Sequence, residues 1–268
     1  MNLIHPSAVV EHGAALGEGV EIGPFCHIGA HVKLGDGVKL ISHVAVSGET
    51  EIGARTRIFP FASIGHEPQD LKYKGERTTL TVGADCLIRE SVTMNPGTQG
   101  GGGETIVGDH CAFLAGSHVA HDCRIGTGVV LSNNVMLAGH CRVGDYAILG
   151  GGAAAHQFVR IGAHAFVGGL TGLTEDLIPF GVAVGDRAKL AGINVVGMKR
   201  RGFTLDDVQG VRRAYKALFA EEGTLQGRIE AVAREFAENT AVQMIVAFLR
   251  ENGERGVTTP RERADVSA

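Results

Sequence analysis

The chain has no tryptophan among its 268 residues, and aromatic residues make up only 5% of it. An interior without large rings is narrow, which argues against a globular core built around aromatic clusters. Glycine, by contrast, occurs forty times. Frequent glycine provides tight turns, so the composition predicts a chain that turns often around a narrow core.

A strong net charge and a long hydrophobic run are also missing. The formal net charge is −4, which gives no reason to expect a nucleic-acid partner. No apolar stretch could span a bilayer, and the repeat described below begins at Ile4, so we expect neither a transmembrane segment nor a signal peptide. These features predict a cytoplasmic protein.

The five cysteines include no CxxC pair, which argues against a thiolate zinc site or a redox motif. Each cysteine follows an aliphatic residue by four positions, where other repeats carry Ala or Val. A free thiol packs as a small hydrophobic group, and unbridged thiols suit a reducing compartment. Core positions are therefore predicted for Cys26, Cys86, Cys111, Cys123 and Cys141.

An aliphatic residue recurs every six residues from Ile4 to Leu173, most often with glycine after it. A fixed period of this kind is typical of a solenoid, and six is the period of a parallel β-helix with three hexads, or eighteen residues, per coil. The predicted fold is an all-β left-handed parallel β-helix of hexapeptide repeats over residues 1–186, with a C-terminal α-helical domain over 187–252.

Two interruptions and a tail complete the predicted organisation. Polar residues replace the hexads near 65–81, where Ile64 and Val82 are eighteen residues apart, as expected for one full coil. A glycine run makes a second excursion near 95–106. Excursions from a rigid solenoid are frequent functional sites. The last residues, 253–268, are predicted to be disordered.

The eighteen-residue coil also predicts which side chains lie above one another, about 4.8 Å apart. His121 is expected to lie under Gly139 and Gln157, and Asp122 under His140. His118 lies on the neighbouring edge. These histidines occupy no inward position of the repeat, so we interpret the column, which includes His118, His121, His140, His156, Asp122 and Gln157, as a site.

The column combines an imidazole base with a backbone N–H at Gly139, which suits acyl transfer to a hydroxyl. No Ser or Cys is available in it as a nucleophile, so direct transfer is predicted. The role of Asp122 stays open at this point, because consecutive side chains on a strand point apart.

Several motifs together resemble one family. They are QDLKY at 69–73, SHVAHDC at 117–123, LAGH at 137–140, AHQF at 155–158 and NVVGMKRRGF at 194–203. In this order, over nearly the whole chain, they resemble the acyl-[acyl-carrier-protein]:UDP-N-acetylglucosamine O-acyltransferases, the first enzymes of lipid A synthesis.

The resemblance implies a homotrimer with active sites between subunits, acting on acyl carrier protein and UDP-N-acetylglucosamine. A 3-hydroxyacyl group would move to the 3-hydroxyl of the sugar, with His121 as general base and Gly139 as oxyanion donor. It implies no cofactor and no metal. The family's substrate-binding positions match Asp70, Lys72, His118, His140, His156, Gln157, Asn194, Arg200 and Arg201.

Gly169 matches the position that limits the acyl groove in this family, where a large side chain selects shorter chains. Glycine there implies acyl groups longer than about ten carbons, by the coil spacing and ordinary bond geometry. Leu170 next to it could also intrude into the groove. The chain departs from the family pattern at Arg187, where a histidine is frequent, and at Val196, where an acidic residue is frequent.

Other functions fit parts of the pattern. A 3-amino analogue of the UDP-sugar is an alternative substrate for the same site. The N-acyltransferases of later lipid A steps should carry a further N-terminal uridine-binding domain. A trimeric zinc carbonic anhydrase also uses a β-helix and a histidine cluster, but it needs neither the QDLKY nor the KRRG segment. A structural or binding solenoid would have uniform faces, whereas one corner here differs from the rest.

Overall fold

The computed structural model describes residues 1–251 and 253–260. Short strands wind through three sheets, so that each regular coil gives one strand to each. We name them face A with 11 strands, face B with 9 and face C with 8. Corners AB, BC and CA join the faces in chain order. The predicted fold class, a left-handed parallel β-helix followed by helices, is confirmed.

The strands are short, and most contain a single outward and a single inward residue. The first fourteen are β1 Leu3–Ile4, β2 Val9–Val10, β3 Ala15–Leu16, β4 Glu21–Ile22, β5 His27–Ile28, β6 Lys33–Leu34, β7 Lys39–Leu40, β8 Ala45–Val46, β9 Glu49–Ile52, β10 Arg57–Ile58, β11 Ser63–Ile64, β12 Thr79–Val82, β13 Leu87–Ile88 and β14 Thr93–Met94. The others are β15 Glu104–Val107, β16 Ala112–Phe113, β17 His118–Val119, β18 Arg124–Ile125, β19 Val130–Leu131, β20 Met136–Leu137, β21 Arg142–Val143, β22 Ile148–Leu149, β23 Ala154–Ala155, β24 Arg160–Ile161, β25 Phe166–Val167, β26 Gly172–Leu173, β27 Gly181–Val184 and β28 Lys189–Ile193.

The register between coils is the predicted eighteen residues. His118 pairs with Met136, and Val119 with Leu137, in parallel. The second residue of nearly every strand points inward and is buried. All five cysteines are buried and free, as predicted. The interior is therefore a narrow column of aliphatic and small side chains, which explains the low aromatic content.

The first excursion differs from the predicted full coil. Ser63 pairs with Thr93, thirty residues away instead of eighteen, so the loop inserts twelve residues. Ile64 lies on face B, and Val82 lies on the next face, C, because the loop leaves and rejoins at one corner. The second excursion inserts seven, since Thr93 pairs with His118. It contains a 3₁₀ helix at Gln99–Gly101. Both loops leave from corner BC.

Four helices follow the coils: α1 Val195–Arg200, α2 Leu205–Leu218, α3 Leu225–Glu235 and α4 Thr240–Arg250. Thr204 and Asp207 form a capping box at the start of α2. Asn239 caps α4, and its side chain accepts from the Val242 N–H. The predicted boundary after residue 186 falls in the turn between β27 and β28, which pair antiparallel.

None of the helices in the described part of the chain combines the length and apolar character needed to cross a membrane.

The end of the described chain is ordered, although disorder is predicted from residue 253. Val257 bridges to Asp176 and Pro260 bridges to Leu190. Thr258 is buried. Backbone groups at the last coil have no further coil to pair with, so the returning segment supplies their partners. The remainder of the predicted tail, 261–268, lies outside the described residues.

The column of inward residues predicts where truncation is costly. Leu131 is fully buried, whereas Leu205 is 65% exposed. We expect Leu131→Ala to lower the free energy of unfolding by roughly 2–5 kcal/mol, because it leaves a cavity in a rigid core. Leu205→Ala, the same substitution at the surface, should change it by less than about 0.5 kcal/mol. Denaturant unfolding measures both; equal losses would contradict the assigned core.

Candidate active site

Corner BC brings together the histidine column predicted from the coil length. The backbone N–H of His140 donates to the carbonyl of His121 at 3.0 Å, and that of Phe158 donates to the carbonyl of Gly139 at 3.2 Å. Successive coils therefore place His121, His140 and Phe158 in one stack. The His140 ring stacks on Phe158 at 4.4 Å and meets the His121 ring edge-on at 5.0 Å.

Asp122 contacts His121 directly, a contact that the sequence left open. Its Oδ2 lies 2.7 Å from Nδ1 of His121. The alternation of side chains along a strand does not apply, because Asp122 lies on a corner with a φ of 60°. In that left-handed backbone, two consecutive side chains can turn toward each other. An ionised carboxylate only accepts hydrogen bonds, so His121 carries its proton on Nδ1 and leaves Nε2 free as a base.

Sequence reasoning missed Thr98, which holds the carboxylate from the other side. Its N–H donates to Oδ1 of Asp122 at 2.9 Å, and its hydroxyl donates to Oδ2 at 2.6 Å. The Asp122 side chain is fully buried. A Cβ on Gly101 would lie 2.0 Å from its Cγ. The glycine run is thus what allows the second loop to lie directly on this carboxylate, and it was the available signal in the sequence.

Gly139 packs against the His121 ring. A Cβ there would lie 2.4 Å from Cε1 and 2.6 Å from Nε2, so only glycine leaves the free ring nitrogen open. Among residues 1–251 and 253–260, no acceptor pairs with the Gly139 N–H. A base nitrogen and an available backbone donor therefore lie side by side.

Two other histidines of the column, His118 and His140, are partly buried. His118 shares a 2.7 Å hydrogen bond with Thr93, which the sequence analysis did not identify. Burial lowers the pKa of His118, and the nearby His121 adds to this effect. Burial also lowers the pKa of His140, although Asp122 opposes it. Both rings are thereby kept neutral at pH values where a free imidazole begins to charge.

A cleft of about 1000 Å³ opens at this corner. Asp70 and Lys72 of the first loop line it together with Asp122 and His140. Asp70 accepts from the Lys72 backbone N–H at 3.0 Å, which shapes the loop tip. His156 and Gln157 lie one coil beyond Gly139 and are exposed.

The remaining predicted site residues lie on other corners of the chain. Gly169 is on corner AB, between β25 and β26. Asn194 caps α1 and donates to the carbonyl of His164 on corner CA at 2.9 Å. Arg201 lies over the Tyr146 ring, also at corner CA, at 4.0 Å. Arg200 is exposed nearby, as are the two departures, Arg187 and Val196.

His121, Asp122 and His140 also offer three potential metal-ligand atoms within 4.8 Å of one another. Two of these residues are already hydrogen-bonded to each other, because Nδ1 of His121 contacts the Asp122 carboxylate. The two oxygens of that carboxylate also accept hydrogen bonds from Thr98. The carboxylate therefore has its hydrogen-bonding partners without an ion.

The lowered pKa values predict acid sensitivity of the fold. Burial lowers the pKa of His66, His118, His140 and His164, so the unfolded chain takes up protons at higher pH than the folded one. Stability should then fall as pH drops below about 6.5, because protonation favours unfolding. Urea unfolding at pH 7.5 and 5.5 measures the fall. A His118→Gln/His140→Gln variant should show a smaller one; an unchanged pH dependence would contradict the assignment.

Comparison with known proteins agrees with the geometry. A family model described as UDP N-acetylglucosamine O-acyltransferase, domain 2, matches residues 176–258, and a bacterial transferase hexapeptide model matches 104–139. Proteins named acyl-[acyl-carrier-protein]–UDP-N-acetylglucosamine O-acyltransferase are similar to the chain. The protein from Methylobacterium radiotolerans is 65% identical to this chain, and the alignment covers 97% of this chain and 95% of the relative. The protein from Rhizobium johnstonii is 53% identical, and the alignment covers 96% of this chain and 94% of the relative.

Solved structures have the same architecture. UDP-N-acetylglucosamine acyltransferase from Campylobacter jejuni superposes with a TM-score of 0.89 at 36% identity, covering 96% of this chain and 100% of that one. The Arabidopsis enzyme superposes with a TM-score of 0.84 at 33% identity, covering 96% and 100%. With a coil stack, a histidine corner and relatives that match from end to end, the chain belongs to the acyl-[acyl-carrier-protein]–UDP-N-acetylglucosamine O-acyltransferase family.

Proposed function

We propose that this chain transfers a 3-hydroxyacyl group from acyl carrier protein to the 3-hydroxyl of UDP-N-acetylglucosamine, with His121 as the general base. The observation that carries the proposal is the His121 ring, held between the Asp122 carboxylate and the Gly139 backbone. Among residues 1–251 and 253–260, nothing is hydrogen-bonded to its Nε2, which lies against the Gly139 backbone.

The reaction needs no covalent enzyme intermediate. Nε2 of His121 takes the proton of the sugar hydroxyl as its oxygen attacks the thioester carbonyl and a C–O bond forms. The carbonyl oxygen becomes an oxyanion, which the Gly139 N–H stabilises. When the intermediate collapses, the C–S bond breaks, and the imidazolium returns the proton to the leaving thiolate of the carrier protein. The ester and a free thiol are the products.

Asp122 acts on this cycle through His121. Its buried carboxylate fixes the ring with the proton on Nδ1 and stabilises the imidazolium that forms on proton transfer. The donors from Thr98 keep the carboxylate in place. Asp70, Lys72, His118, His140, His156 and Gln157 are the proposed substrate-binding residues at this corner.

A homotrimer completes the proposed site. Asn194, Arg200 and Arg201 lie at corner CA, and Gly169 lies at corner AB, so they meet corner BC only across an interface with another copy. Face A offers a surface for that contact. From the fifth coil on, its outward residues are apolar: Leu87, Ala112, Val130, Ile148, Phe166 and Val182. Three copies packed around one axis would bury this face and create three equivalent clefts.

The five free thiols support the proposed cytoplasmic location, since such thiols persist in reducing compartments. The names of the relatives support a sugar hydroxyl over the 3-amino analogue as the nucleophile. Parallel assays with both UDP-sugars test that choice.

Removing the base tests the mechanism. We expect His121→Ala to lower kcat by a factor of about 10² to 10⁴ with the trimer intact. Asp122→Asn should lower it by about 10² or more, since an amide can donate to Nδ1 and force the proton onto Nε2. His110→Ala, at an exposed histidine of corner CA, is the matched control and should keep normal turnover.

Near-normal turnover of His121→Ala would contradict the proposal. The same turnover assay also distinguishes the proposed mechanism from a zinc-dependent one, because a His121 base requires no ion. Dialysis against a chelator should leave turnover unchanged, and elemental analysis should find no stoichiometric zinc. Loss of activity on chelation, restored by zinc, would favour the carbonic-anhydrase type of site instead.

Acyl-chain length gives a separate test. Along the helix axis, Gly169 lies two and two-thirds coils beyond His121, or about 13 Å at the strand spacing, which an extended chain of about ten carbons spans. Gly169 is exposed and its φ is not positive, but a Cβ there would lie 3.2 Å from the carbonyl oxygen of Gly151, so a side chain fits only if that backbone moves by a few tenths of an ångström. Gly169→Met should shift the preference from longer hydroxyacyl groups toward about ten carbons. Competition between C10 and C14 substrates measures the shift; an unchanged ratio would remove Gly169 from the groove.

A further inference from the structure

The returning segment 253–260 places Arg255 at corner BC, next to two proposed substrate-binding residues. Its Nη2 lies 2.8 Å from Nδ1 of His156, and its Nε donates to the carbonyl oxygen of Gln157 at 3.0 Å. One guanidinium thus contacts two consecutive residues of the corner. Neither contact was expected from the sequence, because Arg255 is 99 residues from His156.

These two contacts decide which nitrogen of His156 carries the proton. A guanidinium has donors only, so Nδ1 must accept from it and the ring proton must be on Nε2. The alternative is visible in the same place: Nδ1 lies 3.4 Å from the carbonyl oxygen of Gln157, to which an Nδ1–H could donate. Arg255 occupies that carbonyl and Nδ1 together, and so removes the alternative.

We propose that Arg255 is a positioning residue that fixes His156 in the Nε2–H tautomer, so that corner BC presents an imidazole N–H to an oxygen acceptor of the bound substrate. The inference rests on the proposed function, in which His156 is a substrate-binding residue. Arg255 acts through His156 and does not itself touch the reacting atoms.

The backbone around Arg255 is anchored on the last coil. The Asp176 N–H donates to the carbonyl of Gly256 at 2.7 Å, and the Thr258 N–H donates to the carbonyl of Asp176 at 2.8 Å. Arg160 and Asp176 form a buried ion pair with Nε 2.7 Å from Oδ2. A Cβ on Gly253 would lie 2.4 Å from that Oδ2, so the segment passes directly over the pair. Arg255 is therefore held in place before any substrate binds.

The tautomer is measurable without any assay of activity. Long-range ¹H–¹⁵N spectra of the histidine-labelled protein should give the Nε2–H pattern for His156. Arg255→Met keeps the aliphatic stem but has no donor, so the Nδ1 resonance should move toward that of a protonated nitrogen. Arg250→Met is the matched control, since Arg250 makes two similar bonds, but to Glu230 on α3. An unchanged His156 tautomer in Arg255→Met would overturn the proposal.

A double-mutant cycle separates positioning from a general structural role. Arg255→Met should lower kcat/KM on the order of tenfold, as for loss of a charge-assisted hydrogen bond. In a His156→Ala background it should lower kcat/KM by less than about twofold, because the ring through which it acts is gone. Arg255→Lys, which keeps a donor, should recover part of the loss. An equal loss in both backgrounds would overturn the proposal.

Failure of the proposed function has a different outcome. If the unaltered protein does not acylate UDP-N-acetylglucosamine, the proposed reaction is wrong, and the spectra still decide whether Arg255 sets the tautomer. Equal melting temperatures for Arg255→Met and Arg250→Met exclude loss of folding as the cause of either result.

Discussion

The parallel hydrogen-bond ladder between coils is the constraint on which every other feature depends. Strands of successive regular coils pair eighteen residues apart, as His118 does with Met136. Because the ladder is continuous, an added residue cannot be absorbed within a coil and must leave as a loop. Both insertions, of twelve and seven residues, leave at corner BC. The rigidity of the ladder thus concentrates irregular chain at the one corner where the histidines stack.

The second loop turns a surface corner into a buried site. Taking the Asp122 carboxylate out of water is costly unless hydrogen bonds replace the lost solvent. Both donors of Thr98 and the Nδ1 proton of His121 supply them. The geometry needs a loop backbone without side chains, which the glycine at 101 provides. The fixed position of the Asp122 carboxylate, and through it of the His121 ring, therefore depends on this loop as well as on the β-helix.

The last coil ends the ladder and would leave its backbone groups as an unpaired sheet edge. The antiparallel strand β28 and the segment 253–260 cover it, with backbone bonds at Asp176 and Leu190. Capping a sheet edge in this way protects groups that would otherwise pair with another chain. The same segment carries Arg255 to corner BC, so the structure that ends the solenoid also contacts the proposed substrate-binding corner.

The sequence by itself determined everything that follows from a period. Six-residue spacing predicted the coils, the buried cysteines and the stack of His121, Gly139 and His140, because the backbone of a regular solenoid repeats with its sequence. The capping box at Thr204 was equally local. Only the tertiary structure decided contacts made by aperiodic chain: Thr98 on Asp122, the direct bond from Asp122 to His121 at a left-handed corner, and Arg255 on His156. It also placed Arg201 at another corner, since the path of a loop or a returning segment depends on packing that no local repeat encodes.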